Sequence, residues 1–417
     1  MKKHTYRQTD VNDIDWNQIR AKTENREVHF CVDVAKEKFV GLVVTGDGGI
    51  VRLLKWKHPQ DTPGLIEHLC NDSGAARLEV VMEPSGTYGD VLRWQFSGRG
   101  IPVYRVSTKQ VHDRAESYDG VPSLHDGKAA HIIAELHREG HSVLWRETPV
   151  EQRNLRGLTE ELEIHHGLHR DNLNRLSALM ARHWPELEYA ADLSSVSVLT
   201  LPGEYGEPSG VLTHEEEAAA LLEKTGGYFL KEDKRRAILQ SAHNSLGVPC
   251  VAGEREQIRA LAKDLLRTHR AGLEVERRIA QAAKADDGLA GIAGFTGNVT
   301  CIVLTAILGD LRNYANPACL LKALGLNLKE RSSGKHQGQL KITKRGSGKA
   351  RFYLYWLVMR LVQHDPVIKT WYERKVERDG GRFKGKALIA VMRKTVKGLW
   401  HVAQGEKFDS SKLFNLA

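Results

Sequence analysis

Cysteine is scarce: five in 417 residues, at Cys31, Cys70, Cys250, Cys301 and Cys319. They are scattered, odd in number and lack the paired spacing of a metal-thiolate fold. This excludes a disulfide-stapled secreted scaffold and a cysteine-bound zinc ribbon, and it suits a reducing cytoplasm. Long apolar runs are missing too, so no segment is expected to span a bilayer. The first residues, MKKHTYRQTDVNDIDWNQ, are basic but no apolar stretch follows them, unlike a signal peptide. Acid is sparse in the last third of the chain. Residues 291–417 hold 23 Lys+Arg against 8 Asp+Glu, a net of +15, while the remaining 290 residues carry 38 against 44, a net of −6. Basic surface concentrated in this way attracts phosphate by counterion release. What is present is otherwise ordinary: 41% hydrophobic and 27% charged residues can bury a sizeable core, in two or three domains.

Residues 1–26 are polar and read as a loose arm. From Glu27 the texture becomes β-rich: strands are expected at Val28–Val34, Phe39–Thr45 and Ile50–Trp56, the last two joined by a Gly46-Asp47-Gly48-Gly49 turn. Leu78–Met82 reads as a buried strand. Ser85 can cap a helix over Tyr88–Ser97, and Ile101–Val106 is a fifth strand. Helices follow near Lys109–Ser117 and Asp126–Arg138. Three strands on short turns, then β-α-β-α, is the order of an RNase H-like α/β domain over 27–148. Leucines at three- and four-residue steps predict amphipathic helices over 149–190 and 251–285, an antiparallel coiled-coil arm or a dimer element. Between them, 191–250 reads as an inserted subdomain. A mainly α domain is expected over 286–404, with a tail at 405–417. Gly291–Leu308 reads as two helices with Gly294 and Gly297 at their turn.

Three carboxylates stand out. Asp33 lies in Cys31-Val32-Asp33-Val34-Ala35, and a charge in an apolar strand is costly unless paired or bound to metal. Glu83 ends the apolar run Val80-Val81-Met82-Glu83, and strand ends of open sheets are where sites are built. Asp126 opens a later helix, where it could equally be a cap residue. Converged, such acids would hold hard cations such as Mg2+ for phosphate chemistry.

Several ordered motifs carry a family resemblance: Asp33-Val34-Ala35-Lys36-Glu37-Lys38-Phe39, then Met82-Glu83-Pro84-Ser85-Gly86-Thr87-Tyr88-Gly89, then His125-Asp126 with Ile132-Ile133-Ala134-Glu135-Leu136. These resemble the DEDD transposases of bacterial insertion sequences, the family guided by a bridge RNA, whose N-terminal domain is RuvC-like within the RNase H-like fold. The resemblance implies that Asp33, Glu83 and Asp126 are the first three metal-binding acids of a catalytic tetrad. The fourth acid belongs one helical turn beyond Asp126, where this chain has Ala129. Asp119, His125 and His131 lie nearby, and spacing favours none of them as a substitute.

The stretch Glu330-Arg331-Ser332-Ser333-Gly334-Lys335-His336-Gln337-Gly338 is polar and glycine-bearing, and reads as a loop. It runs into Lys341-Ile342-Thr343-Lys344-Arg345-Gly346-Ser347-Gly348-Lys349-Ala350-Arg351, a strip able to grip phosphates. Residue types alone make its serines solvating or capping groups. The same family carries Ser-Gly, then Gly, then Ile-Ser/Thr-Lys-x-Gly ending in Arg. Ser333-Gly334, Gly338, Ile342-Thr343-Lys344, Gly346 and Arg351 match in order, as do Gly385-Lys386-Ala387 and Ala390-Val391-Met392-Arg393-Lys394. The resemblance implies Ser333 as the nucleophile that links covalently to DNA, with Ser332 as the fallback. Arg331, Lys335, Lys341, Lys344, Arg345, Lys349, Arg351, Lys384, Lys386, Arg393 and Lys394 are the residues expected to touch nucleic acid. Gly346-Ser347-Gly348-Lys349 is not a nucleotide P-loop, because Thr343 and Ala350 stand where glycine and Ser/Thr are needed. His165, His166 and His169 read as a solvated helix face rather than a zinc site, and Tyr353, Trp356 and Leu357 read as core.

The resemblance further implies donor and target DNA and a structured guide RNA as partners, a homo-dimer or tetramer, and use at the bacterial nucleoid. Two other readings stay open: a metal nuclease of the Holliday-junction resolvase type, needing the acids but not Ser333, and a catalytically impaired RNA/DNA-binding homologue, suggested by Ala129.

Overall fold

A computed structural model of the chain describes residues 6–84, 86–333 and 336–415, and for 331–333, 336, 337 and 339 the backbone alone. It divides into two compact units, Met1–Thr148 and Pro149–Ala417. Among the described residues, no helix is long and apolar enough to cross a membrane.

The first unit is built on one seven-stranded mixed sheet. Its strands are β1 (Thr9–Asp10), β2 (Glu27–Asp33), β3 (Lys38–Thr45), β4 (Ile50–Lys57), β5 (Arg77–Met82), β6 (Val103–Arg105) and β7 (Val143–Leu144), in the spatial order β1-β4-β3-β2-β5-β6-β7. β2, β3 and β4 are antiparallel neighbours, whereas β5 lies parallel to β2 and β6 parallel to β5. Its helices are α1 (Trp16–Thr23), α2 (Thr62–Glu67), α3 (Asp90–Ser97), α4 (Thr108–Asp119) and α5 (Asp126–Arg138). This arrangement is compatible with an RNase H-like α/β domain.

Both faces of the central strands are covered, which explains their near-continuous apolar character. Successive side chains point to opposite faces. In β2, Val28, Phe30 and Val32 join a core with Ile19, Leu65, Leu92 and Phe96 from α1 to α3. Cys31 joins the opposite core with Val111 of α4 and Ala129, Ile132, Ile133 and Leu136 of α5.

Two expectations fail in this unit. The N-terminal segment is not a loose arm: β1 pairs with β4, α1 is capped by Asp15, and Val11 and Ile19 are buried. Its few apolar residues suffice because the sheet and α2 already offer a face to bury them. The helix expected from Tyr88 starts at Asp90 with Gly89 at its N-cap, and no side chain caps it; Ser85 lies outside the described residues.

The second unit opens with α6 (Val150–His183), followed by α7 (Pro185–Ala190), α8 (Val196–Glu204), α9 (Pro208–Thr213), α10 (Glu215–Gly226), α11 (Glu232–His243) and α12 (Ala252–Ala285). α6 and α12 pack antiparallel. Arg278 donates to both Glu161 carboxylate oxygens at 2.9 and 2.8 Å, and further along Asn172 Nδ2 donates to Asp264 at 2.6 Å. The segment 191–250 is a helical cap on this pair. Its core residues Val198, Leu201, Leu222 and Ile238 pack with Leu176 and Met180 of α6, Trp184 directly after it, and Ile258 and Leu265 of α12.

The rest comprises α13 (Asp287–Thr296), α14 (Asn298–Leu308), α15 (Pro317–Ala323), a hairpin of β8 (Leu328–Ser333) and β9 (His336–Ile342), and then α16 (Gly348–His364), α17 (Pro366–Arg378), α18 (Lys384–Ala403) and α19 (Ser410–Leu413). Gly297, at φ +84°, makes the α13–α14 turn, but Gly294 lies inside α13. The polar stretch around Ser333 is paired strand rather than free loop, in register from Leu328↔Ile342 to Ser333↔His336. A ladder of backbone hydrogen bonds needs no apolar alternation, so composition concealed it. Tyr353 and Leu357 are buried as expected, but Trp356 is 54% exposed beside Phe352.

Candidate active site

Asp33 ends β2 and Glu83 follows the last residue of β5. The ladder pairs Cys31 with Val81, so one step of two further brings Asp33 and Glu83 side by side on the same face of the sheet. That face is the one α5 covers, and Asp126 is the first residue of α5. Three segments far apart in sequence thus bring their carboxylates to one end of the α5-covered face.

The electrostatics report this convergence. Burial first, then the Glu83 and Asp126 carboxylates, push the Asp33 carboxyl up to about 7, against a weaker opposing hydrogen bond from the Val34 backbone. Glu83 is 6% exposed. Burial raises its pKa, while a hydrogen bond from Thr108 at the start of α4 opposes the rise. Asp126 is exposed. Arg93, itself buried, braces the loop after β5 through the Glu83 carbonyl at 3.4 Å and Asp90 at 2.6 Å. The donors are all oxygens, the ligand chemistry a hard divalent cation takes, and Asp33 meets like charge from the other two.

Asp119, His125 and His131, which lie near Ala129 in the sequence, have other engagements. Asp119 accepts from Lys128 Nζ at 2.6 Å and from Tyr6 Oη at 2.8 Å, which hold it down to about 2. Lys128, 1% exposed, also donates to the carbonyls of Val121 and Ser123. His125 Nδ1 caps α5 by accepting from the Lys128 amide at 3.3 Å. His131 is buried edge-on to Tyr6. Ala129 faces the apolar cluster under the sheet, 3% exposed.

The basic residues expected to touch nucleic acid separate into two groups. Lys341, Lys344, Lys386 and Arg393 line one cavity of about 620 Å3 between the hairpin and α18, together with Leu328, Leu340, Ile342 and Ile389. Lys329 and Lys375 line it too; spacing in the strip did not single them out, and Lys375 is paired with Asp379 at 2.6 Å. Arg345 and Lys384 are exposed. The other group is occupied within the fold. Arg351 donates to the Leu324 and Gly346 carbonyls, each at 3.0 Å, and Lys394 to the Leu413 carbonyl at 2.6 Å. Lys349 lies 3.8 Å from Glu163. Ser347 is an ordinary N-cap, accepting from Ala350 N at 3.1 Å. Ser332, Ser333 and Arg331 lie on β8 with side chains outside the described part, and Lys335 lies outside the described residues.

One cluster escaped the sequence reading. His29 of β2, Glu79 of β5 and His137 of α5 place their ligand atoms within 4.8 Å of one another. Among the described residues they form the one such group, so the three acids stand further apart than this, and His165, His166 and His169 do not qualify. Charged or polar residues inside apolar strands marked Asp33 and would have marked His29 and Glu79 equally.

No curated protein matches the chain significantly. The family model for DEDD transposases of the IS110 type matches residues 30–185, and that for transposases of the IS116/IS110/IS902 family matches residues 288–373. The first match contains Asp33, Glu83 and Asp126, and the second contains the hairpin and the basic strip. The chain carries, in order, the two transposase domains of the IS110 family.

Proposed function

We propose that this protein is the transposase of a bacterial insertion sequence that cuts and rejoins DNA through a serine–DNA link, with a RuvC-like acid site and a bridge RNA selecting the strands. The observation that carries the reading is the gathering of Asp33, Glu83 and Asp126 at one end of β2, β5 and α5, where burial and like charge lift Asp33 to about 7. Carboxylates held together in this way are a cost to folding unless a ligand compensates them.

Asp33, Glu83 and Asp126 would hold magnesium, which when bound supplies charge stabilisation to the phosphate and the leaving oxygen. Ser333 attacks phosphorus: its oxygen–phosphorus bond forms as one backbone ester bond breaks, its proton passes to a base, and the departing strand end takes up a proton. Rejoining reverses this with a new strand end. Lys341, Lys344 and Lys386 hold phosphates in register, a role that carries no sequence information, and pairing with the RNA supplies the choice of site. Ser333 and the acids belong to different units, so the reaction needs an assembly that brings the two to one phosphate, within one chain or between copies in a dimer or tetramer.

The test is to incubate the protein with its element ends, target DNA and co-purified RNA, then look for a denaturation-resistant protein–DNA adduct. The adduct is expected for the wild-type chain and absent in Ser333→Ala and Asp33→Asn. Cleavage persisting at full rate in Ser333→Ala would favour the metal-nuclease reading. No discrete RNA after purification would remove the guide, and no magnesium-dependent product would favour the impaired homologue, to which Ala129 points.

A further inference from the structure

β2, β5 and α5 carry a second cluster at their opposite ends. His29 and Glu79 are direct ladder partners on the α5-covered face, four residues before Asp33 and Glu83. His137 lies in the last turn of α5, eleven residues after Asp126. Four strand residues span about 13 Å, and eleven helical residues about 17 Å, so the cluster is separate from the acids. Its members are buried or nearly so: side-chain exposure is 10% for His29, 5% for Glu79 and 8% for His137.

The donor atoms are arranged as ligands. Glu79 Oε2 lies 3.0 Å from His137 Nε2 and 3.9 Å from His29 Nε2. Zinc–nitrogen and zinc–oxygen bonds near 2.0–2.1 Å put tetrahedral ligands about 3.4 Å apart, so the spacing here brackets what a bound ion needs. The outer atoms are already held. His137 Nδ1 is hydrogen-bonded to Ser142 Oγ at 2.7 Å, which turns Nε2 toward Glu79. The other Glu79 oxygen takes Arg77 and, at 3.4 Å, Tyr104 Oη, leaving Oε2 to both imidazoles. Orientation of ligand imidazoles and carboxylates by such outer partners is the usual construction of a metal site. His29 also lines a cavity of about 200 Å3 with Asp47, Glu135 and Arg138, on one side of the cluster.

We propose that His29, Glu79 and His137 bind a borderline transition metal, zinc above all, which staples the end of α5 to β2 and β5. Two imidazoles and one carboxylate prefer zinc over magnesium, the reverse of the all-oxygen acid site. The staple would fix the pitch of the helix that carries Asp126. Zinc held here is independent of the proposed transposition chemistry.

The full chain, stripped with chelator and dialysed, is titrated with Zn2+ and with Co2+, followed by metal content, cobalt absorption and thermal unfolding. One ion per chain is expected, with tetrahedral cobalt bands, no thiolate charge-transfer band and a raised unfolding temperature. Glu79→Gln and His137→Ala should lose the ion, and Asp33→Asn should keep it. Should either ligand variant fail to fold, Ser142→Ala leaves all three ligands in place and is expected to weaken binding about 10-fold. A chain that takes up no zinc or cobalt at micromolar concentration overturns the proposal. So do a thiolate band, loss of the ion in Asp33→Asn, unchanged affinity in a folded ligand variant, and, where those variants do not fold, unchanged affinity in Ser142→Ala.

Discussion

At residue 119 a carboxylate beside the candidate site does structural work. Lys128 and Tyr6 hold Asp119 down to about 2, below its unfolded value near 3.8. A depressed acid stabilises the fold above the unfolded pKa, and that contribution is lost as pH falls from about 4 through about 2. Asp119→Asn should therefore lower stability at neutral pH and flatten the acid limb over that window, as measured by denaturant unfolding at stepped pH. A wild-type limb that the substitution leaves unaltered would assign the acid sensitivity elsewhere. Ala129 gives a second residue-scale prediction. A carboxylate placed there enters a cluster with Cys31, Leu42 and Val81, and Ala129→Asp should cost at least about 2 kcal/mol in the metal-free protein. Standing one turn from Asp126, it should also make Mg2+ raise the unfolding temperature more than in the wild type. A shift no larger than in the wild type would mean that residue 129 does not face the acids.

Among the elements, the long pair α6 and α12 and the helices capping it depend on a shared core. Trp184, at the end of α6, is fully buried and donates from Nε1 to Ser241 Oγ of α11 at 3.1 Å. Trp184→Ala should destabilise the second unit by about 3–5 kcal/mol through the cavity it leaves, and Trp184→Phe by less, as read by chemical denaturation. The ion pair Arg278–Glu161 should matter far less, since both side chains are 40% exposed and solvent screens the attraction. The β8–β9 hairpin sets the basic strip by a different device. Arg351 ties the strip to the preceding turn through two carbonyls, and a Cβ at Gly346 would collide with the Ala323 carbonyl. Arg351→Ala should accordingly loosen the strip, whereas Lys341→Ala should leave the fold intact.

At the scale of the whole chain, charge asymmetry has a measurable consequence. Residues 291–417 carry a net of +15, and four of the basic residues expected to touch nucleic acid, Lys341, Lys344, Lys386 and Arg393, line one cavity. Binding to duplex DNA should weaken steeply with salt. Lys341→Ala with Lys386→Ala should reduce the slope of log K against log salt by about 1.8, near 0.9 for each phosphate no longer neutralised. Lys394→Ala should instead lower stability with little change in slope, because its ammonium is bonded to the Leu413 carbonyl inside the fold. An equal loss of slope from Lys394 would place that residue on the nucleic acid.

Local pattern alone marked five of the seven strands of the first unit, the two long helices, and Asp33 and Glu83 as candidates, because a charge interrupting an apolar strand is visible in one dimension. The basic character of the C-terminal third is likewise additive over residues. Tertiary structure decided the rest. Whether a lysine meets solvent or a carbonyl, whether a polar segment pairs as a hairpin, and whether residues 6–26 dock all depend on surfaces supplied by distant parts of the chain. The His29–Glu79–His137 cluster shows the same limit: each residue was readable, but only the parity of two parallel strands and the length of α5 bring the three together.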